Sequence, residues 1–191
     1  MKKYQIIYAD PPWHFGSRLR NGSKKKTHGI GRKDSDVVTY QSMSTIEICS
    51  LPVKNIISED SILFIWTTDA HIPEALKVIN AWGFTYKTIG FLWLKKNKDL
   101  SQKYYYGHWT TKSGEICLLA TKGKIHSHIK KRNVKQLVES TRDGHSKKPP
   151  EVKKRIVELM GDLPRIELFA REKTEGWDVW GNEVESDIDL K

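Results

Sequence analysis

Disulfide chemistry has almost no material to work with in this sequence. Its 191 residues include two cysteines, Cys49 and Cys117. Two cysteines cannot make the framework of a small secreted domain, and their spacing suits no zinc site, so both are expected as buried thiols. Long apolar runs are lacking too: nothing approaches the ~20 residues that a membrane-spanning helix needs. The start, Met1-Lys2-Lys3, is basic as in a secretory leader, but Asp10-Pro11-Pro12 interrupts the apolar run that follows, which points to an intracellular, cytoplasmic protein. Internal repeats and linkers that would split the chain are absent. Acidic residues are the minority charge, 23 Asp and Glu against 33 Lys and Arg, giving +10. Such an excess suits a polyanion-binding surface. With 38% hydrophobic and 29% charged residues, the composition excludes wholesale disorder and fits one ordinary core.

The basic residues are clustered. Residues 16–36, GSRLRNGSKKKTHGIGRKDSD, are glycine-rich, basic and without apolar periodicity, which reads as a long functional loop. A second basic tract, 122–135, has no acidic residue, and the two together are expected to form a substrate track beside the site. Residues 183–191 turn acidic and are expected to fray. This divides the chain into one unit over 1–182, carrying the 16–36 loop and a 97–112 stretch, plus the acidic tail.

Between the tracts, strands alternate with helices. Tyr4 to Ala9, Ser61 to Trp66, Phe84 to Leu94, Glu115 to Ala120 and Arg165 to Ala170 read as strands. Ser44-Thr45-Ile46-Glu47 is a capping box opening a short helix that Pro52 closes. Asp69 is placed to cap a helix with Ile72, Leu76, Ile79 and Trp82 on one face and Gly83 as its stop. Pro149 opens a helix with Val152, Ile156, Leu159 and Met160 inward, ended by Gly161. This interleaving predicts an α/β fold, a mostly parallel sheet covered by helices on both faces.

In open α/β sheets, ligands bind outside the carboxyl ends of strands. One such end here is Asp10-Pro11-Pro12-Trp13, a rigid turn by composition. It sets an acceptor-only carboxylate and backbone carbonyls beside a large aromatic face, while proline contributes no N–H. A flat base with an exocyclic amino group suits this set: its N–H groups would donate to Asp10 and the Pro11 carbonyl, with Trp13 stacked on the ring. The 97–112 stretch, with Tyr104-Tyr105-Tyr106 and Trp109, is open to two readings, a stacking or strand-separating element or a tyrosine cluster half-buried at a sheet edge. The seven histidines are scattered, and no metal-ligand cluster is expected.

Tyr8-Ala9-Asp10-Pro11-Pro12-Trp13 resembles the signature of amino-group methyltransferases that use S-adenosylmethionine. The tryptophan variant is typical of the adenine N6-methyltransferase family, which includes the catalytic subunit of the eukaryotic messenger-RNA adenosine methyltransferase and short bacterial and phage members that act on DNA. The resemblance extends in order through residues 63–84, 107–109, 115–123, 145–151, 166–171 and 176–183. It implies a Rossmann-like methyltransferase fold, S-adenosylmethionine as cofactor, and catalytic roles for Asp10, Pro11, Pro12 and Trp13, with Asp10 also bordering the cofactor. Lys148 matches a family lysine near the methionine carboxylate of the cofactor. Arg171 matches an arginine of the ribose region, and Asn182 and Glu183 match the pair that binds the ribose hydroxyls. Glu167 and Phe169 lie where related enzymes carry the acidic and aromatic residues of the cofactor strand. His108 and His145 fall within family-like segments as structural or substrate-facing residues.

The sequence also departs from that pattern. Ala170-Arg171-Glu172-Lys173 replaces a glycine-rich turn, and Lys173-Thr174 stands where the family has a His-Asn pair. Only nine residues precede Asp10, so the cofactor adenine is expected to lack the upstream segment that holds it in longer members. The expected substrate is duplex DNA with a flipped adenine, gripped by Arg18, Arg20, Lys24, Lys25, Lys26, Arg32 and Lys33 at phosphates and by Tyr105 and Trp109 at bases. RNA as substrate, and a non-catalytic nucleic-acid-binding subunit, are the alternatives; an inactive subunit would be expected to lose the Asp-Pro-Pro-Trp set, which is intact. The chain is expected as a monomer or homodimer.

Overall fold

A computed structural model describes residues 2–14, 42–107, 109–141 and 147–190. Among these residues, seven strands form one sheet: β1 (Tyr4–Ala9), β2 (Ile57–Thr67), β3 (Thr85–Lys96), β4 (Gly114–Lys122), β5 (Leu137–Thr141), β6 (Arg165–Leu168) and β7 (Asp178–Trp180), in the order β5-β3-β4-β2-β1-β6-β7. Every strand runs in the same direction except β4, which is antiparallel to both of its neighbours. The helices are α1 (Thr45–Ser50), α2 (Ile72–Ala81) and α3 (Pro150–Met160). The fold is thus the expected α/β class with a mostly parallel sheet.

Strand periodicity splits the apolar residues into two cores. Ile7, Ala9, Leu63, Ile65 and Leu168 face α1 and α2, packing with Val78, Ile79 and Trp82. Their neighbours Ile6, Tyr8, Ile62, Phe64 and Trp66 face the other way and pack with Val152, Ile156 and Met160 of α3. Because both faces are covered, β1 and β2 read as continuous apolar runs rather than alternating ones. Burying each large side chain stabilises by roughly 1.5–3 kcal/mol.

Local signals behave largely as the sequence predicts. Ser44 accepts from the Glu47 N–H and Glu47 reaches back to the Ser44 N–H, completing the capping box of α1. Gly83 and Gly161 stop α2 and α3 with φ of +84° and +82°, a region that glycine enters freely. Asp69 does not cap α2. It lies in a 3-10 turn before the helix, and its carboxylate pairs with Lys112 at 2.9 Å instead.

Three further expectations are corrected. Strands β5 and β7 add to the five predicted, one at each edge of the sheet. The 122–135 tract does not lie beside the site over its first ten residues: because β4 is antiparallel, Lys122 sits next to Ser61, at the end of the sheet away from Asp10, and Lys130 and Lys131 bond the carbonyl at the foot of α3. The acidic tail does not fray. Asp187 exchanges hydrogen bonds with Val179 of β7, and Ile188 and Leu190 enter the core, so two apolar side chains anchor a segment that reads as acidic. Cys117 is buried and Cys49 only partly so.

Candidate active site

The carboxyl ends of β1 and β6 open into a cavity of about 800 Å3. Its lining includes Tyr8 and Asp10 from β1 and its end, Glu167, Phe169 and Arg171 from β6 and the turn after it, Lys148 from just before α3, and Lys153 from the first turn of that helix. Five of the residues assigned from the sequence therefore converge here: Asp10, Lys148, Glu167, Phe169 and Arg171. The basic residues Arg18, Arg20, Lys24, Lys25, Lys26, Arg32 and Lys33, together with His108 and His145, lie outside the described residues.

The Asp-Pro-Pro turn is held by its own backbone. The Pro11 carbonyl accepts from the Trp13 N–H at 2.9 Å, and the Pro12 carbonyl accepts from the Met43 N–H at 2.8 Å. His14 N–H in turn donates to the Met43 carbonyl at 3.1 Å, so the chain before residue 15 and after residue 41 is clasped at one point. One lone pair of the Pro11 oxygen is thereby used, and among the described residues no second donor reaches it.

Trp13 differs from its expected role as a stacking platform. Its indole N–H donates to the Trp66 carbonyl at 3.0 Å, its ring stacks on His71 (5.9 Å between centroids, 22° between planes), and only 7% of the residue is exposed. Its apolar body is worth more in the core than at the surface, and its polar tip finds a backbone partner there. Trp13 therefore fixes the turn and offers little face to a base.

Charges form a ladder through the site. Lys148 Nζ lies 2.7 Å from Asp10 Oδ2 and 3.3 Å from Glu115 Oε2, and Glu115 is bound on its other oxygen by Lys95. Burial pushes the Asp10 carboxyl above the usual carboxylate range, and Lys148 opposes this only in part. Burial works against Glu115 as well, but Lys148 and Lys95 outweigh it and hold Glu115 low. Burial would lower Lys148; the two carboxylates outweigh it and keep the ammonium charged. Asp10 is thus the carboxylate of this ladder with the stronger hold on a proton.

A second, half-buried pair joins Lys153 to Glu167, with the Lys153 ammonium also donating to Thr174 Oγ1 at 2.7 Å. Burial raises the Glu167 carboxyl in spite of that partner. Tyr8 closes the floor of the cavity, its hydroxyl accepting from Trp66 Nε1 at 2.6 Å. Glu115, Lys95, Lys153 and Tyr8 were not singled out from the sequence. A charged residue opening an apolar run, as Glu115 does, was the available signal.

Around β6 the backbone is tight. Phe169 adopts φ of +62°, a left-handed conformation costly for a side-chain-bearing residue, and its ring meets Trp180 edge-on at 5.4 Å. Gly181 lies so close to Ala170 that a methyl group would overlap the Ala170 carbonyl. Asn182 and Glu183 follow on an exposed stretch outside the lining, Glu183 meeting Arg171 at 3.6 Å. Tyr105 is half-buried, whereas Trp109 is open to solvent. Among the described residues no grouping of three or more His, Cys, Asp or Glu side chains is placed to hold a metal, and no helix is long and apolar enough to cross a membrane.

The chain is 37% identical to the type II methyltransferase M.MunI of Mycoplasma sp. over 96% of its own length and 78% of that protein. It is 26% identical to the human N(6)-adenosine-methyltransferase catalytic subunit METTL3 over 96% of this chain, which spans 28% of METTL3. It is also 26% identical to the human N(6)-adenine-specific methyltransferase METTL4, over 38% of that protein. The MT-A70 family profile matches residues 4–183, from the first residue of β1 to the Glu183 that faces Arg171. A match over that span takes in all seven strands of the described residues, and the chain belongs to the MT-A70 family of adenine methyltransferases.

Proposed function

We propose that the chain transfers a methyl group from S-adenosylmethionine to the N6 amino nitrogen of adenine in DNA, acting on a base rotated out of the duplex. The observation that carries this reading is Asp10, a carboxylate with one ammonium partner, at the mouth of a cavity between β1 and β6. The donor set suits the cofactor. Asp10 and Lys148 offer opposite charges to an amino-acid zwitterion, Phe169 offers an apolar face, and Arg171 and Glu183 make a polar rim for which Asn182 supplies a neighbouring amide. When bound, S-adenosylmethionine supplies an electrophilic methyl group on sulfur.

The chain's own residues prepare the nucleophile. An adenine amino nitrogen is weakly nucleophilic because its lone pair is delocalised into the ring. Hydrogen bonds accepted by Asp10 and by the free lone pair of the Pro11 carbonyl orient that nitrogen and favour the charge that develops on it. Positioning of this kind supplies up to ~7–11 kcal/mol of a barrier. Trp13 and the Met43 clasp keep the turn rigid, so the acceptors need no reorganisation. Asp10 is not required as a formal base, since a methylated ammonium is acidic enough to lose its proton to water.

DNA is favoured over RNA because the greater similarity, over most of both chains, is to M.MunI; the METTL3 resemblance supports RNA as the second reading. Labelled S-adenosylmethionine offered with DNA and with RNA, followed by digestion and mass identification of nucleosides, tests both. N6-methyldeoxyadenosine that is lost in Asp10→Asn is the expected result. Methylated RNA alone would replace DNA as the substrate, and cofactor binding without product on either would refute the reading for the isolated chain.

A further inference from the structure

The connection from β3 to β4 is a braced hairpin rather than a loose loop. Gln102 bridges to Lys96, and Tyr105 and Lys112 exchange backbone hydrogen bonds at 2.6 and 2.8 Å. The Gln102 side chain donates to the Lys95 carbonyl at 2.9 Å, and Gly107 packs tightly on the Thr110 carbonyl at the tip. Extended backbone sends successive side chains to opposite sides. Tyr105 accordingly turns inward beneath Lys95 and Lys103, whose ammonium groups lie 5.1 and 5.6 Å from its ring centre. Its neighbours turn outward: Tyr106 is 100% exposed, Tyr104 64%, and Trp109, past the tip, 98%.

Large aromatics held this far into solvent beside a braced backbone pair mark a binding surface. Charge identifies the occupant. Residues 95–112 carry five lysines against Asp99; Lys95, Lys96 and Lys112 pair with Glu115, Glu139 and Asp69 from elsewhere, which leaves Lys98 and Lys103 as the charges turned to a partner. That balance favours a polyanion and disfavours a second copy of a chain whose own net charge is +10. Both feet of the hairpin stand on the Asp10 end of the sheet. Lys95 holds Glu115, which shares Lys148 with Asp10, and Lys112 pairs with Asp69, two residues from the His71 that stacks on Trp13.

We infer that Trp109 and Tyr106 form an aromatic wedge that enters duplex DNA beside the target adenine and stacks where that base leaves. This rests on the proposed methyl transfer to a flipped base. Lys98 and Lys103 hold the flanking phosphates, and the brace through Tyr105 sets the wedge above the Asp10 end of the sheet. Filling the stack lowers the cost of extrusion, a step that single-stranded substrate does not need.

The test is methyl transfer by the full chain to genomic DNA, native and heat-denatured, for the wild type, Trp109→Ala, Trp109→Phe and Tyr106→Ala. Trp109→Ala should lose about tenfold or more on native DNA, the worth of one stacked base, and stay within about twofold of wild type on denatured DNA. Trp109→Phe should recover most of the loss, and cofactor affinity by calorimetry should not change in any variant. Equal losses on both forms, or none, would overturn the wedge. So would a wild-type dimer in sedimentation that Trp109→Ala dissociates, since the tip would then be a self-association surface. A wild type inactive on both forms of DNA would instead defeat the underlying methyl-transfer reading.

Discussion

Lys148 holds Asp10 at 2.7 Å while also facing Glu115 at 3.3 Å, so one ammonium is divided between the candidate catalytic carboxylate and a neighbour. The proton affinity of Asp10 therefore depends on a residue outside the Asp-Pro-Pro turn. Asp10→Asn keeps the shape and removes the charge; kcat should fall by about 10²-fold or more, with the protein still folded by circular dichroism.

The pH dependence has a definite sign. Asp10 accepts a hydrogen bond from an amino group when ionised, so burial places the acid limb of the reaction above the usual carboxylate range. Lys148→Met removes the charge that opposes burial, and the limb should move to higher pH. Glu115→Gln removes a like charge and leaves Lys148 wholly to Asp10, and the limb should move to lower pH. Profiles of kcat at saturating cofactor read both shifts; the same direction in both variants would refute the ladder.

Stability follows Glu115 in the opposite sense to Asp10. Its folded pKa is held low, so its contribution is present above the unfolded carboxylate value and is lost as pH falls through the folded one. Glu115→Gln should therefore flatten the acid side of a plot of melting temperature against pH.

Lys153→Met leaves Glu167 half-buried without its partner, a change that costs up to about 3–5 kcal/mol. The deficit should shrink in acid, because protonating Glu167 removes the unpaired charge. Adding Glu167→Gln should recover most of it at neutral pH. Urea unfolding of the three variants at two pH values checks the sequence of effects.

Gly181→Ala forces β7 away from the Ala170 carbonyl and should cost about 1–3 kcal/mol, as overpacking does. Cofactor affinity should weaken with it, since Asn182 and Glu183 follow directly; calorimetry measures that.

The centre of the sheet was legible in the sequence because buried strands are long apolar runs; the edges were not. Val138 is the one fully buried residue of β5, and β7 has three residues, so neither presents a pattern. Strand direction leaves no local trace either, and the antiparallel course of β4 moved most of the second basic tract to the far end. Asp10, Lys148, Glu167, Phe169 and Arg171, which line one cavity, stood out in the sequence through the motif and the family resemblance. The burial of Trp13 and the inward turn of Tyr105 left no trace in the sequence for one reason: which face of an aromatic is open depends on neighbours distant in the chain, Trp66 and His71 for one, Lys95 and Lys103 for the other.

The pairing of β1 with β6 also bears on how the molecule assembles. Ile6 pairs with Arg165 and Ala9 with Leu168, the near-full length of the chain apart, whereas β3 and β4 meet across a single hairpin. Closing the larger loop costs more entropy, so the hairpin is expected to nucleate early and the β1–β6 seam to close late. The cavity opens on that seam. Substitutions at the seam should then chiefly speed unfolding, and those in the β3–β4 hairpin slow folding, so the site is the part of the protein that a bound ligand protects most against opening.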